Sequence, residues 1–277
     1  MSETAILAPN DEALCHTGRD HLSWSQCQAY LRCPWAYQYR YVEAAEPEFT
    51  PSALVFGSAI HECLRRHHTA QLEGTEAPAM DGHRELIAAS LGGADPPIRF
   101  GTRDDADSMI TLGTSMLEAF VASELATPQG RIVAIEEPVR GTLDDSIPDL
   151  EGYVDLVFEQ DGQLVIRDYK TTRSAWGAGQ VREAVGQLVI YGALMTPTTK
   201  ADRTVSLEFV TITKQRAPKV KRLEASGEDE DKVATVTTVV TQLRNIWTGI
   251  SAGAFPARPG WNCATCPYQA RCPHSIA

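Results

Sequence analysis

Residues 152–172 read GYVDLVFEQDGQLVIRDYKTT. Two apolar runs flank Asp161-Gly162, and an Asp-Gly pair between alternating apolar residues signals a β-hairpin with a two-residue turn. With that turn, Gln160 faces Gln163, Phe158 faces Val165 and Asp155 faces Asp168. Lys170, two residues beyond Asp168, points to the same side of its strand. Directly opposed side chains have Cβ atoms roughly 5 Å apart, where like charges repel. Two acids facing each other in an apolar hairpin therefore call for positive charge between them. Lys170 supplies part of it, and a divalent metal can supply the rest. The plainer alternative is a surface ion pair between one aspartate and Lys170, which is worth little.

Working outward, residues 1–22 read as a flexible leader. Residues 23–41 (SWSQCQAYLRCPWAYQYRY) begin on a serine N-cap and predict an aromatic helix interrupted at Cys33-Pro34. Residues 53–72 predict a second helix, apolar first and basic later. Residues 74–105, rich in Gly, Pro and Asp, predict a loop or insertion with a short helix, and 106–125 another helix. Then the period changes. Residues 131–139 read as a strand leading to the hairpin, 178–195 as a helix, 204–213 as a strand, 218–224 as a further strand and 229–250 as a late helix. This order predicts an α/β fold with a mixed central sheet flanked by helices.

The 277 residues carry a net charge of −11, which argues against indiscriminate coating of nucleic acid but leaves room for a local basic groove. Residues 65–68 (RRHH) and 214–222 (KQRAPKVKR) are such basic clusters. No apolar run is long enough to span a membrane. The acidic N-terminus lacks the pattern of a signal peptide, so a cytoplasmic protein is expected. Seven cysteines without an export signal point to metal or cluster binding rather than disulfides. Cys263, Cys266 and Cys272 stand at C-x2-C-x5-C spacing. A fourth ligand would come from His274, which suits zinc, or from Cys15, Cys27, Cys33 or Cys63, since an iron–sulfur cluster prefers four thiolates.

Five pieces, taken in order, resemble RecB-type nucleases of the PD-(D/E)XK superfamily. The likeness is to the branch with a C-terminal iron–sulfur cluster, which includes the Cas-four-type CRISPR-adaptation nucleases and the AddB nuclease domain. The pieces are Cys33-Pro34 in an aromatic helix, GSAIH (residues 57–61), GYVD (152–155) followed by Asp168-Tyr169-Lys170, QLVIY (187–191) and the triple-cysteine tail. The second acidic position is Asp168 where the family often has Glu. No GxxxxGK[ST] motif is present, so any motor would belong to another chain.

The resemblance implies a single RecB-like nuclease domain over residues 23–277. It would have a restriction-endonuclease-like core and an iron–sulfur region formed by residues 23–45 and 255–277, joining the two ends of the chain. It implies a [4Fe–4S] cluster on Cys33, Cys263, Cys266 and Cys272, and Mn2+ or Mg2+ on His61, Asp155, Asp168 and the Tyr169 carbonyl. Lys170 would orient water or stabilise phosphate charge, and Gln187 and Tyr191, one helical turn apart, would touch the DNA backbone or brace the lysine. Apart from the resemblance, Glu136 or Glu137, at the end of the preceding strand, could be a further acidic neighbour, but the sequence does not choose between them and neither is counted among the expected ligands. The implied activity is metal-dependent exonucleolytic cleavage of DNA from single-stranded ends, in repair, phage DNA metabolism or CRISPR adaptation. Trp24, Trp35, Tyr37 and Tyr39 are candidates for stacking on bases, with packing of most of them around the cluster as the favoured alternative. The alternative is a catalytically silent DNA-binding or adaptor subunit working with a helicase or integrase partner.

Overall fold

The computed structural model describes residues 7–93, 95–195, 204–225 and 229–277. In chain order the elements are α1 (Pro9–Thr17), β1 (His21–Ser23), α2 (Trp24–Arg32) and α3 (Pro34–Tyr37), which runs into a π-helical turn (Gln38–Val42). There follow β2 (Thr50–Pro51), α4 (Ser52–Glu73), α5 (Met80–Leu91), β3 (Ile98–Arg99), α6 (Ala106–Val121) and β4 (Arg131–Gly141). The remainder is β5 (Asp149–Gln160), β6 (Gln163–Thr172), α7 (Ala178–Met195), β7 (Val205–Thr213), β8 (Val220–Glu224) and α8 (Asp229–Ser251). The chain divides into two compact units. One comprises Met1–Pro47, Pro138–Gly152 and Asp229–Ala277, and the other Glu48–Glu137 and Tyr153–Glu228.

In the second unit the hairpin forms in the expected register, with Gln160 opposite Gln163 and Phe158 opposite Val165. Asp161 and Gly162 take φ of 50° and 79°, the left-handed pair that a two-residue hairpin turn requires. β6 pairs in parallel with β7, and α7 makes the crossover. β7 pairs antiparallel with β8, and β4 pairs β5. The result is the mixed sheet expected from the sequence. Leu156, Phe158, Val165, Val210 and Ile212 pack with Phe56, Ile60, Leu64, Ile87, Met116 and Phe120 of the helices in one apolar core. Arg167 and Glu208, on neighbouring strands, form a buried ion pair at 2.6 Å (3% and 4% exposed).

The first unit joins the two ends of the chain. α2 ends at Cys33, whose extended backbone (φ −160°) precedes Pro34 and starts α3. The break is where the proline predicted it. Tyr30 Oη donates to the Ala254 carbonyl (2.6 Å), and Tyr39 Oη to that of Arg271 (3.3 Å). A helix also stands where composition suggested only a leader. α1 has Pro9 in its first turn, Asp11 and Glu12 beside its positive end, and Gly18 closing it at φ 67°. Its apolar residues do not recur at helical spacing and only Ala13 is buried, so no periodicity announced it. The Asn10 side chain anchors it, donating to the Asp149 carboxylate and accepting the Asp149 amide proton.

Candidate active site

All the residues of this site lie in the second unit. The β5–β6 ladder stops at Leu156 opposite Arg167, one step before the two aspartates. There a side chain replaces the ladder, and Asp155 Oδ2 accepts the Tyr169 amide proton at 2.7 Å. Asp155 Oδ1 lies 3.3 Å from Nδ1 of His61 on α4. Glu136 of β4 completes the group, and one ligand atom from each of His61, Glu136 and Asp155 lies within 4.8 Å of the other two. One imidazole and two carboxylates are a donor set that suits Mn2+ and accommodates Mg2+ less readily. Both aspartates are inside the protein rather than in a surface ion pair, with Asp168 only 2% exposed.

Asp168 makes a different contact. Lys170 Nζ lies 2.8 Å from its Oδ2, a close ion pair. The same ammonium donates to Gln187 Oε1 at 2.8 Å, and Gln187 Nε2 donates to Tyr191 Oη at 3.0 Å. Of the residues expected around a metal, the structure brings His61 and Asp155 together with Glu136. It holds Asp168 against Lys170 and presents the Tyr169 amide to Asp155. Gln187 on α7 meets Lys170, and Tyr191, one turn on, braces Gln187.

Tyr169 is anchored by a network with no sequence signature. Gln71 Nε2 donates to the Ala126 carbonyl (2.9 Å), which fixes its Oε1 as acceptor for His68 Nδ1–H (2.9 Å). Burial pushes the His68 pKa down to about 4, so its ring is neutral and Nε2 accepts the Tyr169 hydroxyl proton at 2.7 Å. The residue between Asp168 and Lys170 is thereby locked.

The charges in the site oppose one another. Burial and the neighbouring Asp155 push Glu136 up to about 7. Burial works against a charged His61, but the Asp155 carboxylate outweighs it and lifts the ring to about 9. Burial also raises Asp168, whereas the His61 contact, the Tyr169 amide and Lys170 overcome burial at Asp155 and keep it low. Without metal, the His61–Asp155 pair stabilises the fold fully between about pH 4 and 6.5; that contribution is lost as pH rises through about 9, where His61 deprotonates, and in acid, where Asp155 protonates. A cation must displace these protons. Mn2+ affinity is therefore expected to rise with pH, releasing about two protons below pH 7, about one between 7 and 9, and none above. Calorimetric titrations across pH 6–10 measure this slope, and a pH-independent affinity contradicts it.

Glu136 sits in a strand at φ 50°, a left-handed conformation that costs a non-glycine residue about 1 kcal/mol or more. Strand alternation does not distinguish it from Glu137; the local reversal of the backbone does, and a position of this kind re-aims a side chain. Glu136→Gly is expected to raise the melting temperature by a few degrees through relief of about 1 kcal/mol. It is also expected to weaken Mn2+ binding by at least about tenfold, through loss of a ligand. A thermal melt and a metal titration on the same sample check both halves.

In the first unit, Cys33, Cys263, Cys266 and Cys272 line one cavity together with Trp35, Tyr39 and His274. Among the described residues no three thiols lie within 4.8 Å of one another. Cys27 and Cys63 are buried elsewhere and Cys15 is exposed. The nearby aromatics do not reach out to bases. Tyr37 is fully buried, Tyr39 is 8% exposed, and the Trp35 ring packs edge-on to Tyr39 and His274.

The family model described as the PD-(D/E)XK nuclease superfamily matches residues 21–273. Among curated proteins, none matches by sequence. The crystal structure of a candidate exonuclease from Eubacterium rectale aligns over 98% of this chain and 93% of its own, at 14% identity and a TM-score of 0.59. That likeness is one of fold. The structure of SSO0001 aligns over 91% of this chain and 96% of its own at 15% identity, with a TM-score of 0.35, too low to bear on the fold.

Proposed function

The chain belongs to the PD-(D/E)XK nuclease superfamily, and from that premise we propose that it is a divalent-metal-dependent exonuclease acting on single-stranded DNA ends. The observation that carries this reading is the convergence of His61, Glu136 and Asp155 within 4.8 Å, with the Asp168–Lys170 pair on the adjoining strand. A bound divalent cation supplies Lewis acidity to the scissile phosphate and lowers the pKa of its water. His61, Glu136 and Asp155 would hold it, with Asp168 as the neighbouring carboxylate.

The chain's own residues do the rest. Asp155 spends one oxygen on the Tyr169 amide, which fixes the direction of the other. Lys170 is the cation that faces the phosphate, stabilising charge in the transition state or orienting water. Gln187 and Tyr191 hold its ammonium in place, since a loose lysine would lose most of that effect.

The test uses end-labelled linear single-stranded DNA and a covalently closed circle of the same sequence, each with Mn2+, Mg2+ or chelator. Stepwise shortening of the linear strand, an intact circle and no products in chelator are expected. Equal cutting of the circle would overturn the exonuclease part. No metal-dependent product from either substrate would overturn the nuclease reading.

The four cysteines are proposed to hold a [4Fe–4S] cluster that staples the ends of the chain. The support is chemical: four thiols line one cavity, and such clusters take four thiolates. Anaerobically purified protein is expected to carry about four iron atoms per chain. One zinc and no iron would overturn the assignment.

A further inference from the structure

Among the described residues two aromatic side chains are exposed, Tyr153 and Trp261. Tyr153 is 56% exposed although it sits in an apolar strand, two residues before Asp155 and on the same side of β5. It lines an open cleft of about 640 Å3 together with His61 and Glu136. The facing wall is one face of α4, where Leu54, Gly57, Ser58, His61 and Arg65 recur every three or four residues. Leu54 is 55% exposed. A Cβ added at Gly57 would meet nothing within 4 Å, so packing does not demand glycine there, and its absence leaves the cleft clear one turn from His61.

Arg65 stands one turn beyond His61. Glu62 accepts from its Nε (2.6 Å) and Nη2 (2.7 Å), and also from Arg66 Nε (2.7 Å). Two guanidinium groups share this one carboxylate, and of the two Arg65 is the one that lines the cleft beside Glu62. Glu62 occupies the Nε–Nη2 edge of Arg65 and so fixes the plane of its guanidinium, and a phosphate oxygen would be met by the N–H groups of the opposite edge.

We propose that this cleft is the track for an unpaired DNA strand, with Tyr153 stacking on a base beside the scissile phosphate and Arg65 holding a neighbouring phosphate. The proposal rests on the nuclease reading of the metal site and extends it to the residues outside that site that select an unpaired strand. Stacking requires a base with a free face, which a single strand offers at every position and a duplex only at its end.

The test measures binding of a fluorescein-labelled oligothymidylate and of a duplex of equal length in chelator, by anisotropy, and then cutting in Mn2+. Tyr153→Ala is expected to weaken single-strand binding about tenfold with duplex binding unchanged, and to raise KM while kcat holds. Tyr153→Phe keeps the ring and is expected to match wild type. Arg65→Ala is expected to flatten the salt dependence of binding by about one unit. Mn2+ affinity stays at the wild-type value in all three. Single-strand binding by Tyr153→Ala at wild-type strength, or equal loss on both probes, overturns the proposal. A wild type that needs Tyr153 to bind the oligomer yet cuts nothing supports the track and overturns the nuclease reading. Wild-type cutting with an indifferent Tyr153 does the reverse.

Discussion

Asp155→Asn is expected to fold normally, to lose most of its Mn2+ affinity and to cut DNA at least about a thousandfold more slowly than wild type. Asparagine keeps an oxygen for the Tyr169 amide, which Asp155 now accepts at 2.7 Å, so the hairpin end stays satisfied. It removes the charge that His61 and Glu136 share in the donor group. With that charge gone, His61 is no longer lifted to about 9 and titrates lower. A histidine NMR titration, a metal titration and a cutting assay on one preparation separate these effects. Wild-type cutting by Asp155→Asn would remove this residue from the chemistry.

The largest effect on stability is expected at Arg167. Its pair with Glu208 is buried on both sides, and Arg167 also donates to the Leu125 carbonyl (2.9 Å) and lies over the Phe158 ring. Arg167→Met alone leaves a carboxylate in the core without its close partner and should cost about 3–5 kcal/mol. Removing both charges, in Arg167→Met with Glu208→Leu, should recover most of that loss, because desolvation of the pair offsets much of its attraction. Urea unfolding of the two variants checks the contrast. Equal destabilisation of single and double variants would mean that packing, not charge, governs the site.

The hairpin and the helix over residues 178–195 were legible because their signals are local. Asp161-Gly162 sets the turn, the apolar alternation sets the register, and Gln187 and Tyr191 share a face by helical spacing. Pro34 likewise announced its own break. Glu136 was not legible as the partner of His61 and Asp155, because its aim depends on a backbone reversal at φ 50° that glutamate gives no reason to expect. The ion pair of Asp168 with Lys170 was foreseeable from their spacing, whereas the Gln187 contact that also holds the ammonium reaches in from α7. The His68–Gln71–Tyr169 network joins residues about a hundred positions apart, and no spacing rule reaches that far. Of the aromatics at the start of the chain, Tyr37 and Tyr39 pack inward, the alternative that their sequence favoured over stacking on bases. The exposed ring beside the site is Tyr153, hidden in the sequence as one more apolar strand residue.

The central claim is that the end of this hairpin is a catalytic site and not merely a place where a metal binds. The most direct test is the cutting of end-labelled single-stranded DNA by Lys170→Ala at saturating Mn2+, beside wild type. Lys170 lies outside the donor group of His61, Glu136 and Asp155, so the variant should keep its fold and bind Mn2+. The account predicts that such a protein, loaded with metal, cuts at least about a hundredfold more slowly than wild type. Cutting at the wild-type rate by metal-loaded Lys170→Ala would contradict it.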